Sequence, residues 1–343
     1  MSRMIRVQPE RFLRGVLAGL PWADGSRLPL TQCAKLTADT VRAARVPAGV
    51  HLAFTGPVST VELTVEVRER TAVPAPTAPE AFVVRVPGCP ADEVPLPAGG
   101  GAVRIRLPEH DPDGPVRVYF PESPEVKVVT LAGDHRLEPV EPGPLWVVYG
   151  DSITQGWSVS APGLAWPSLV ADALGLDLVN LGFAGAARGE LPTADAVAAS
   201  GADAVALAWG TNAHTALPTS AAQIAETTRL HLTAVRQGLP EVPLLVVSPI
   251  VRPAAEDVPN RFGATLADLR TAMETAVRRF AEESWDHRVA LVPGRDLVAA
   301  GHLVDGVHPG DEGHRVLAEG VLPYLAAGLG RDTAPARPGA GHR

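Results

Sequence analysis

Strict alternation of apolar and polar residues marks the first 140 positions of the chain. Its clearest example is residues 61–68, where Val-Glu-Leu-Thr-Val-Glu-Val-Arg changes polarity at every step. Because successive side chains of a strand point to opposite faces, this pattern predicts a strand with one buried face. Comparable runs occupy residues 50–54, 82–86, 103–107, 116–120 and 126–131. Six or more short strands with turn-rich breaks and no strong helical pattern predict an all-β sandwich or jelly roll.

Continuous apolar runs replace this alternation after residue 144. They cover residues 145–149, 204–209, 244–250 and 289–292, and residues 176–181 are nearly continuous. Strands of this kind are buried on both faces, as in a parallel sheet that is covered by helices. The segments between them are helical in pattern, with apolar residues at steps of three and four, as at Leu266, Leu269, Met273, Val277 and Phe280. The second half is therefore predicted to be a doubly wound α/β domain over residues 145–330.

A proline-rich linker separates the two patterns. Residues 139–144 read Pro-Val-Glu-Pro-Gly-Pro, which fits neither sheet nor helix. We therefore place the β domain at 1–140 and the linker at 141–144. An exposed loop with three prolines is predicted at 71–79, and a disordered tail rich in Pro, Gly, Ala and Arg is predicted at 331–343.

Composition excludes several classes of function. The chain has 343 residues, and 30 Lys and Arg against 38 Asp and Glu give a net charge of −8. Because nucleic acids and anionic membranes need clustered cations, neither is expected as a partner. The two cysteines, Cys33 and Cys89, are too few for a disulfide framework, and the sequence does not decide whether they pair.

The N-terminus makes a weak targeting signal. Four arginines precede a short apolar piece at 15–20, but Pro21 and Trp22 end it and no small-residue cleavage site follows. A secretory signal needs about 7–15 uninterrupted apolar residues, and a membrane helix needs ~18. We therefore expect a cytoplasmic protein rather than a secreted one.

Chemically useful residues follow four of the predicted strands. Asp151-Ser152 follows the first, the Gly-Phe-Ala-Gly run at 182–185 the second, Gly-Thr-Asn at 210–212 the third, and Asp-Gly-Val-His-Pro at 305–309 lies beyond the last. In a doubly wound sheet, sites form at the carboxyl ends of the strands. All four segments are therefore predicted to open onto the same edge.

Three of these residues can supply the groups of a serine hydrolase. The hydroxyl of Ser152 is a weak nucleophile until a base takes its proton, and His308 can be that base near neutral pH. Asp305 lies three residues before His308 and can orient its ring. Because position 308 precedes a proline, it is kept out of the following helix, which we expect over 312–327 with Asp311 as its cap.

An acyl transfer also needs hydrogen-bond donors for an oxyanion. The candidates are the backbone N–H groups of Ser152 and Gly185 and the side-chain amide of Asn212. Gly182 competes with Gly185, and a tight turn is the plainer explanation for either glycine. For Asn212 the alternative is a helix cap near Thr219.

The four segments resemble the conserved blocks of the GDSL, or SGNH, hydrolases and stand in the same order, Ser–Gly–Asn–His. The resemblance covers about 145–330. It implies a flavodoxin-like α/β/α domain of three layers and a Ser/His/Asp esterase mechanism without a metal or other cofactor. It implies that Ser152 is the nucleophile, His308 the base and Asp305 the orienting acid. It also favours Gly185 over Gly182 as an oxyanion donor, beside Ser152 and Asn212.

Other features of the resemblance bear on the substrate. A subgroup with an N-terminal β-sandwich similar to residues 1–140 includes carbohydrate deacetylase-like esterases and acyltransferases of natural-product tailoring. Ala186 and Ala213 stand where many members carry an acid that supports a loop, so the shape of the substrate pockets is less transferable than the mechanism. Trp157 and His214 are candidate substrate contacts. The plainer explanation is a core position for Trp157 and a surface position for His214.

Three functions follow from these observations. The first is a serine esterase that removes a small acetyl-like acyl group from a carbohydrate or other polyol. The second is an acyltransferase, which passes the acyl group from an activated donor such as an acyl-CoA to an acceptor alcohol. The third is a binding protein with a non-catalytic α/β domain, which the intact triad disfavours. Sequence motifs do not separate the first two, because they differ in how well a pocket excludes water.

Overall fold

The computed structural model describes residues 4–17, 25–70 and 80–331. The proline-rich segment at 71–79, positions 18–20 of the apolar piece and positions 332–343 of the tail lie outside the described residues. Within the described ranges, no helix combines the length and the apolar character that a membrane span requires.

Two antiparallel sheets form a sandwich in the first part of the chain, which confirms the prediction of a β-sandwich. The strands are β1 Ile5–Val7, β2 Leu13–Arg14, β3 His51–Thr55, β4 Thr60–Arg70, β5 Ala81–Arg85, β6 Asp92–Pro95, β7 Gly101–Arg106, β8 Val116–Tyr119, β9 Pro124–Gly133 and β10 Glu138–Pro139. One sheet has the order β1-β9-β4-β7, and the other β10-β3-β8-β5-β6, with β2 beside β3. Alternate residues of β4, Val61, Leu63 and Val65, are buried in the core between the sheets, as the period of two requires.

A five-stranded parallel sheet forms the second part. Its strands are β11 Leu145–Gly150, β12 Asp177–Gly182, β13 Ala204–Ala208, β14 Leu244–Val247 and β15 Val289–Val292. Their order is β12-β11-β13-β14-β15, and each neighbouring pair is parallel. This is the flavodoxin-like order, so the predicted doubly wound fold is confirmed. The reversal of strand order beside β11 opens a crevice at the carboxyl ends of the strands, where ligands bind in such folds.

Helices cover both faces of the parallel sheet. Their bounds are α3 Ser152–Gln155, α4 Trp166–Leu174, α5 Leu191–Ala198, α6 Ala221–Gly238, α7 Leu266–Ser284 and α8 Asp311–Gly328. Side chains of α4 and α8, such as Trp166 and Leu317, pack in the core on one face. Side chains of α5, α6 and α7, such as Val197, Leu232 and Met273, pack in the core on the other face.

Two helices in the N-terminal region were not predicted. They are α1 Leu30–Cys33 and α2 Ala38–Arg45. Four and eight residues are too few to show a clear helical period, and helices this short depend on packing for their stability. Both helices pack against the α/β unit, because Cys33 of α1 and Ala44 of α2 belong to the same core as Val147 and Tyr149 of β11. The N-terminal segment therefore touches both the sandwich and the α/β unit.

The predicted cap of the last helix is wrong. Helix α8 begins at Asp311 itself, and its cap residue is Gly310, without a side-chain hydrogen bond. The Asp311 carboxylate instead accepts hydrogen bonds from the Ser160 N–H and hydroxyl, at 2.8 Å and 2.6 Å. Because an acid in the first turn of a helix interacts well with the helix dipole, this position serves both contacts.

Candidate active site

A sharp strand-to-helix turn presents Ser152. It is the first residue of α3, directly after β11 and Asp151. Asp151 caps the helix, since its Oδ1 accepts the Ile153 N–H at 3.1 Å. The helix ends after one turn at Gly156, whose φ of 93° is a left-handed conformation that favours glycine. This short helix fixes the serine at the carboxyl edge of the sheet.

Ser152, His308 and Asp305 form a continuous hydrogen-bonded array. Ser152 Oγ lies 2.8 Å from His308 Nε2, and His308 Nδ1 lies 2.7 Å from Asp305 Oδ2. A proton on Nδ1 that is donated to the carboxylate leaves Nε2 free to accept the serine proton, and we assign the tautomer from this network. The array can therefore activate a serine hydroxyl as a nucleophile.

The loop that carries His308 and Asp305 is tightly closed. The Val304 N–H donates to the His308 carbonyl at 2.9 Å, and the Gly310 N–H donates to the His302 carbonyl at 3.0 Å. Asp305 Oδ1 accepts the backbone N–H groups of Val307 and His308 at 2.9 Å and 2.8 Å. Burial raises the pKa of Asp305, but the hydrogen bonds from His308 and Val307 outweigh it and hold the pKa below its ordinary value. The carboxylate is thus ionised beside the imidazole near neutral pH.

The two competing glycines have different surroundings. A Cβ on Gly182 would lie 2.2 Å from the Gln155 backbone nitrogen, so this glycine lets β12 pack against α3. Gly185 is exposed, has a φ of 67°, and would give a Cβ no neighbour within 4 Å. The open surroundings of Gly185 are those that a donor to a substrate needs, whereas Gly182 serves packing.

Asn212 follows β13 in a short 3-10 helix, Thr211–Ala213, and is buried. Its Nδ2 donates to the Ala187 carbonyl at 3.3 Å, which joins the third segment to the loop of Gly185. It does not cap the following helix, because Ser220 and Gln223 form a capping box there. The amide group has two protons, so this bond uses one of them.

The Thr211 peptide units beside Asn212 are held from two directions. The N–H of Thr211 donates to Asp151 Oδ2 at 3.2 Å, and its carbonyl accepts Arg252 Nη1 at 3.1 Å. Burial raises the pKa of Asp151 to about 6, while the bonds from Ile153 and Thr211 and the charge of Arg252 act in the opposite direction. Asp151 and Arg252 therefore fix the turn that presents Asn212.

The two candidate substrate contacts lie in different settings. The ring of Trp157, which is half-buried, has its centroid 6.2 Å from that of His308. His214 is buried, and its Nε2 hydrogen-bonds to the Val258 carbonyl at 2.7 Å. Trp157 thus lies at the triad, whereas His214 supports the loop after β14.

Sequence reasoning gave no role to Asp151, Arg252 or His314. Asp151 stands inside the motif that was identified, but its second contact joins residues 60 positions apart. His314 is fully buried, and its Nδ1 accepts the Trp166 N–H at 3.1 Å at the start of α4. No local pattern reports such contacts. Across the described ranges, no three His, Cys, Asp or Glu side chains cluster as metal ligands would.

The α/β fold and the hydrogen-bonded array of Ser152, His308 and Asp305 suit an ester-acting enzyme. Residues 145–326, just over half of the chain, match the model of the GDSL-like lipase/acylhydrolase family. The chain therefore belongs to this family, which confirms the family predicted from the sequence. A sequence search of the curated proteins finds no significant match.

Solved structures share the fold over nearly the whole chain. A candidate GDSL-like lipase from Bacteroides ovatus is 20% identical with a TM-score of 0.77 and covers 96% of this chain and 98% of its own. The salicylyl-acyltransferase SsfX3 from a tetracycline biosynthetic pathway is 22% identical with a TM-score of 0.80 and coverages of 94% and 97%. The acetyl xylan esterase Est2A from the rumen bacterium Butyrivibrio proteoclasticus is 16% identical with a TM-score of 0.57 and coverages of 82% and 90%.

Proposed function

We propose that the protein is a serine esterase that removes a small acyl group, of acetyl size, from a carbohydrate or other polyol. The observation that carries this proposal is the array in which Ser152 Oγ lies 2.8 Å from His308 Nε2. An ester-acting enzyme of this family needs an activated hydroxyl, and the array supplies one without a further group.

The reaction proceeds through an acyl-enzyme in this proposal. Ser152 Oγ attacks the ester carbonyl carbon while His308 Nε2 takes the hydroxyl proton. The tetrahedral intermediate then breaks its bond to the alkoxy oxygen, and His308 returns the proton to the leaving alcohol. Water, deprotonated by His308, attacks the acyl carbon, and Ser152 leaves with the proton. Asp305 stabilises the imidazolium that forms in each half.

The oxyanion is held by three donors in this proposal: the backbone N–H groups of Ser152 and Gly185 and the side-chain amide of Asn212. They follow β11, β12 and β13, which are neighbouring strands of the sheet. The open surroundings of Gly185 and the fixed turn of Asn212 support these roles. Trp157 is proposed to line the acyl pocket beside His308, and His214 to shape it through the loop after β14.

Turnover of an aryl acetate tests the esterase proposal. Wild type is compared with Ser152→Ala and with the control Ser160→Ala. Ser160 follows helix α3, and its hydroxyl donates to Asp311 rather than to His308. We expect nitrophenol release to vanish in Ser152→Ala and to persist in Ser160→Ala. Equal release by wild type and Ser152→Ala would refute the proposal. Acetylated oligosaccharides then test the alcohol, and acetate release from them supports the carbohydrate class.

A second candidate function is an acyltransferase. It is favoured by the likeness to SsfX3, which extends over 94% of this chain and includes the N-terminal region. The chemistry is shared up to the acyl-enzyme, after which an acceptor alcohol takes the place of water. We expect one of two results when the acyl-enzyme is followed in time. Fast clearance in water supports the esterase, whereas slow clearance that an added polyol accelerates supports the transferase.

A further inference from the structure

A buried arginine from the N-terminal segment binds the end of the strand that leads to Gly185. The guanidinium of Arg27 is fully buried and donates Nη2 to the Gly182 carbonyl at 2.9 Å and to the Ala43 carbonyl at 2.6 Å. Its Nη1 donates to the carbonyl of Asn180, and its Cζ lies 5.4 Å from the ring centroid of Phe183. The arginine therefore holds two carbonyls of β12 and one of α2.

The same end of β12 is connected to the helix that carries Ser152. The Asn180 side chain donates Nδ2 to the Thr154 carbonyl at 2.8 Å and accepts the Gly182 N–H with Oδ1 at 2.8 Å. Gln155 Oε1 accepts the Ala184 N–H at 3.0 Å. The strand end that Arg27 holds is thus the point where the nucleophile helix and the loop of Gly185 meet.

The far side of this loop is also held by the N-terminal segment. Arg188 forms an ion pair with Asp39 of α2 and donates Nε to the Ala186 carbonyl at 3.0 Å. Residues 183–188 therefore have Arg27 at one end and Asp39 at the other. Both partners lie in residues 25–45, outside the part of the chain that matches the family.

We propose that Arg27 is a positioning residue that fixes the backbone N–H of Gly185 for the oxyanion. This inference rests on the proposed function, because it concerns the donor set of that reaction. An exposed glycine in a left-handed turn has no side chain to hold it in place. A misplaced donor lowers the stabilisation of the transition state more than the affinity for the substrate. Loss of the guanidinium would also leave buried carbonyls without their donor.

Arg27→Lys is the test variant, because it keeps the charge but cannot reach three carbonyls. Arg14→Lys is its matched control. Arg14 comes from the same N-terminal region and pairs with Asp177 at 3.5 Å, at the opposite end of the same strand β12. For both variants we measure kcat and KM on an aryl acetate, the affinity for an aryl trifluoromethyl ketone, the melting temperature, and amide exchange over residues 183–187.

The ketone reports the oxyanion directly, because Ser152 Oγ adds to its carbonyl and creates the negative oxygen while His308 holds the proton. We expect Arg27→Lys to lower kcat and ketone affinity by about ten- to a hundredfold, with KM within about twofold. Amide exchange over 183–187 should accelerate. Arg14→Lys should lower the melting temperature but leave kcat and ketone affinity at the wild-type level.

Two results would overturn the proposal. One is unchanged exchange over 183–187 in Arg27→Lys, and the other is accelerated exchange with unchanged kcat and ketone affinity, which marks a purely structural role. If Arg27→Lys does not fold, Asp39→Asn loosens the other end of the loop and should show a smaller change in the same direction. If the wild type is inactive but amide exchange over 183–187 still accelerates in Arg27→Lys, the proposed function is contradicted while the role of Arg27 in holding the loop stands. The failures of the two proposals are therefore distinguishable.

Discussion

Asp151 Oδ2 accepts the backbone N–H of Thr211 at 3.2 Å. The bond joins the turn that carries Ser152 to the turn that carries Asn212. Asp151 and Thr211 are 60 positions apart in the chain. The other oxygen of Asp151 caps the helix that begins with Ser152. One carboxylate therefore sets the position of Ser152 relative to Asn212.

Asp151→Asn should lower kcat without removing the fold. The amide can accept at one oxygen only, and its NH₂ then faces an N–H donor at either Ile153 or Thr211. A buried donor without a partner costs about 1–3 kcal/mol, which corresponds to about 5- to 150-fold in rate if the cost falls on the transition state. Steady-state kinetics with an aryl acetate measure this, and an unchanged kcat would show that the bridge does not affect the donors.

Asn212→Ala should lower kcat by about 10²–10³-fold and leave KM within about threefold, because an oxyanion donor acts in the transition state. The loss of its bond to the Ala187 carbonyl leaves a buried acceptor unpaired, so stability should also fall by about 1–3 kcal/mol, which thermal unfolding measures. A kcat within twofold of wild type, in a variant that is folded at the assay temperature, would remove Asn212 from the proposed donors.

Alanine should destabilise the protein much more at Gly182 than at Gly185. In Gly182→Ala the new Cβ would meet the Gln155 nitrogen at 2.2 Å, so β12 and α3 must separate and the melting temperature should fall sharply. Gly185→Ala has open space around it and keeps its N–H, so it should fold and cost about 1–2 kcal/mol for the positive φ. Circular dichroism melts of both variants decide this. A greater loss of stability in Gly185→Ala would reverse the assignment.

His231 should make stability fall in acid. Burial lowers its pKa to about 4, with a weaker opposing effect of the Gly189 backbone. Its stabilising contribution is complete above about pH 6.5, the pKa of an unfolded histidine, and is lost as the pH falls toward 4, because only the unfolded state accepts the proton. The slope is about 1.4 kcal/mol per pH unit per proton.

His231→Phe isolates this effect. A phenyl ring can keep the stacking on Tyr149, where the ring centroids are 4.9 Å apart. Buried acids such as Glu122, whose pKa burial raises to about 7, are common to both proteins and cancel in the difference. Urea unfolding at pH 7 and pH 5 gives the free energy of unfolding, which should fall less in acid for the variant. Its pH slope should be smaller by about one proton. Identical pH slopes for the two proteins would mean that His231 titrates equally in both states.

Much of the fold could be predicted from local patterns. The alternation at 61–68 marked β4, and the apolar runs marked all five parallel strands, because burial on one or two faces leaves its period in the sequence. The motifs after these strands were sufficient to nominate Ser152 and His308. Residues 145–326 match the family that these motifs indicated.

The remainder depends on contacts that no local pattern records. Helix α2 has eight residues and is stabilised by packing against the second half of the chain. Arg27 binds the carbonyl of a residue 153 positions away. Asp311 was expected to cap its own helix, but its carboxylate binds Ser160 in a loop 151 positions earlier. In each case the role of the residue or helix is set by tertiary contacts, which a local sequence pattern does not record.

Intact-protein mass spectrometry during reaction with nitrophenyl acetate tests most directly that Ser152 carries the acyl group. Wild type and Ser152→Ala are sampled on the millisecond-to-minute scale while nitrophenol release is followed. We expect wild type to release nitrophenol and to gain one acetyl group that maps to Ser152, transient in water for an esterase and persistent until an alcohol is added for a transferase. Nitrophenol release at the wild-type rate by Ser152→Ala, or an acetyl group on another residue of the active wild type, would contradict the proposed mechanism.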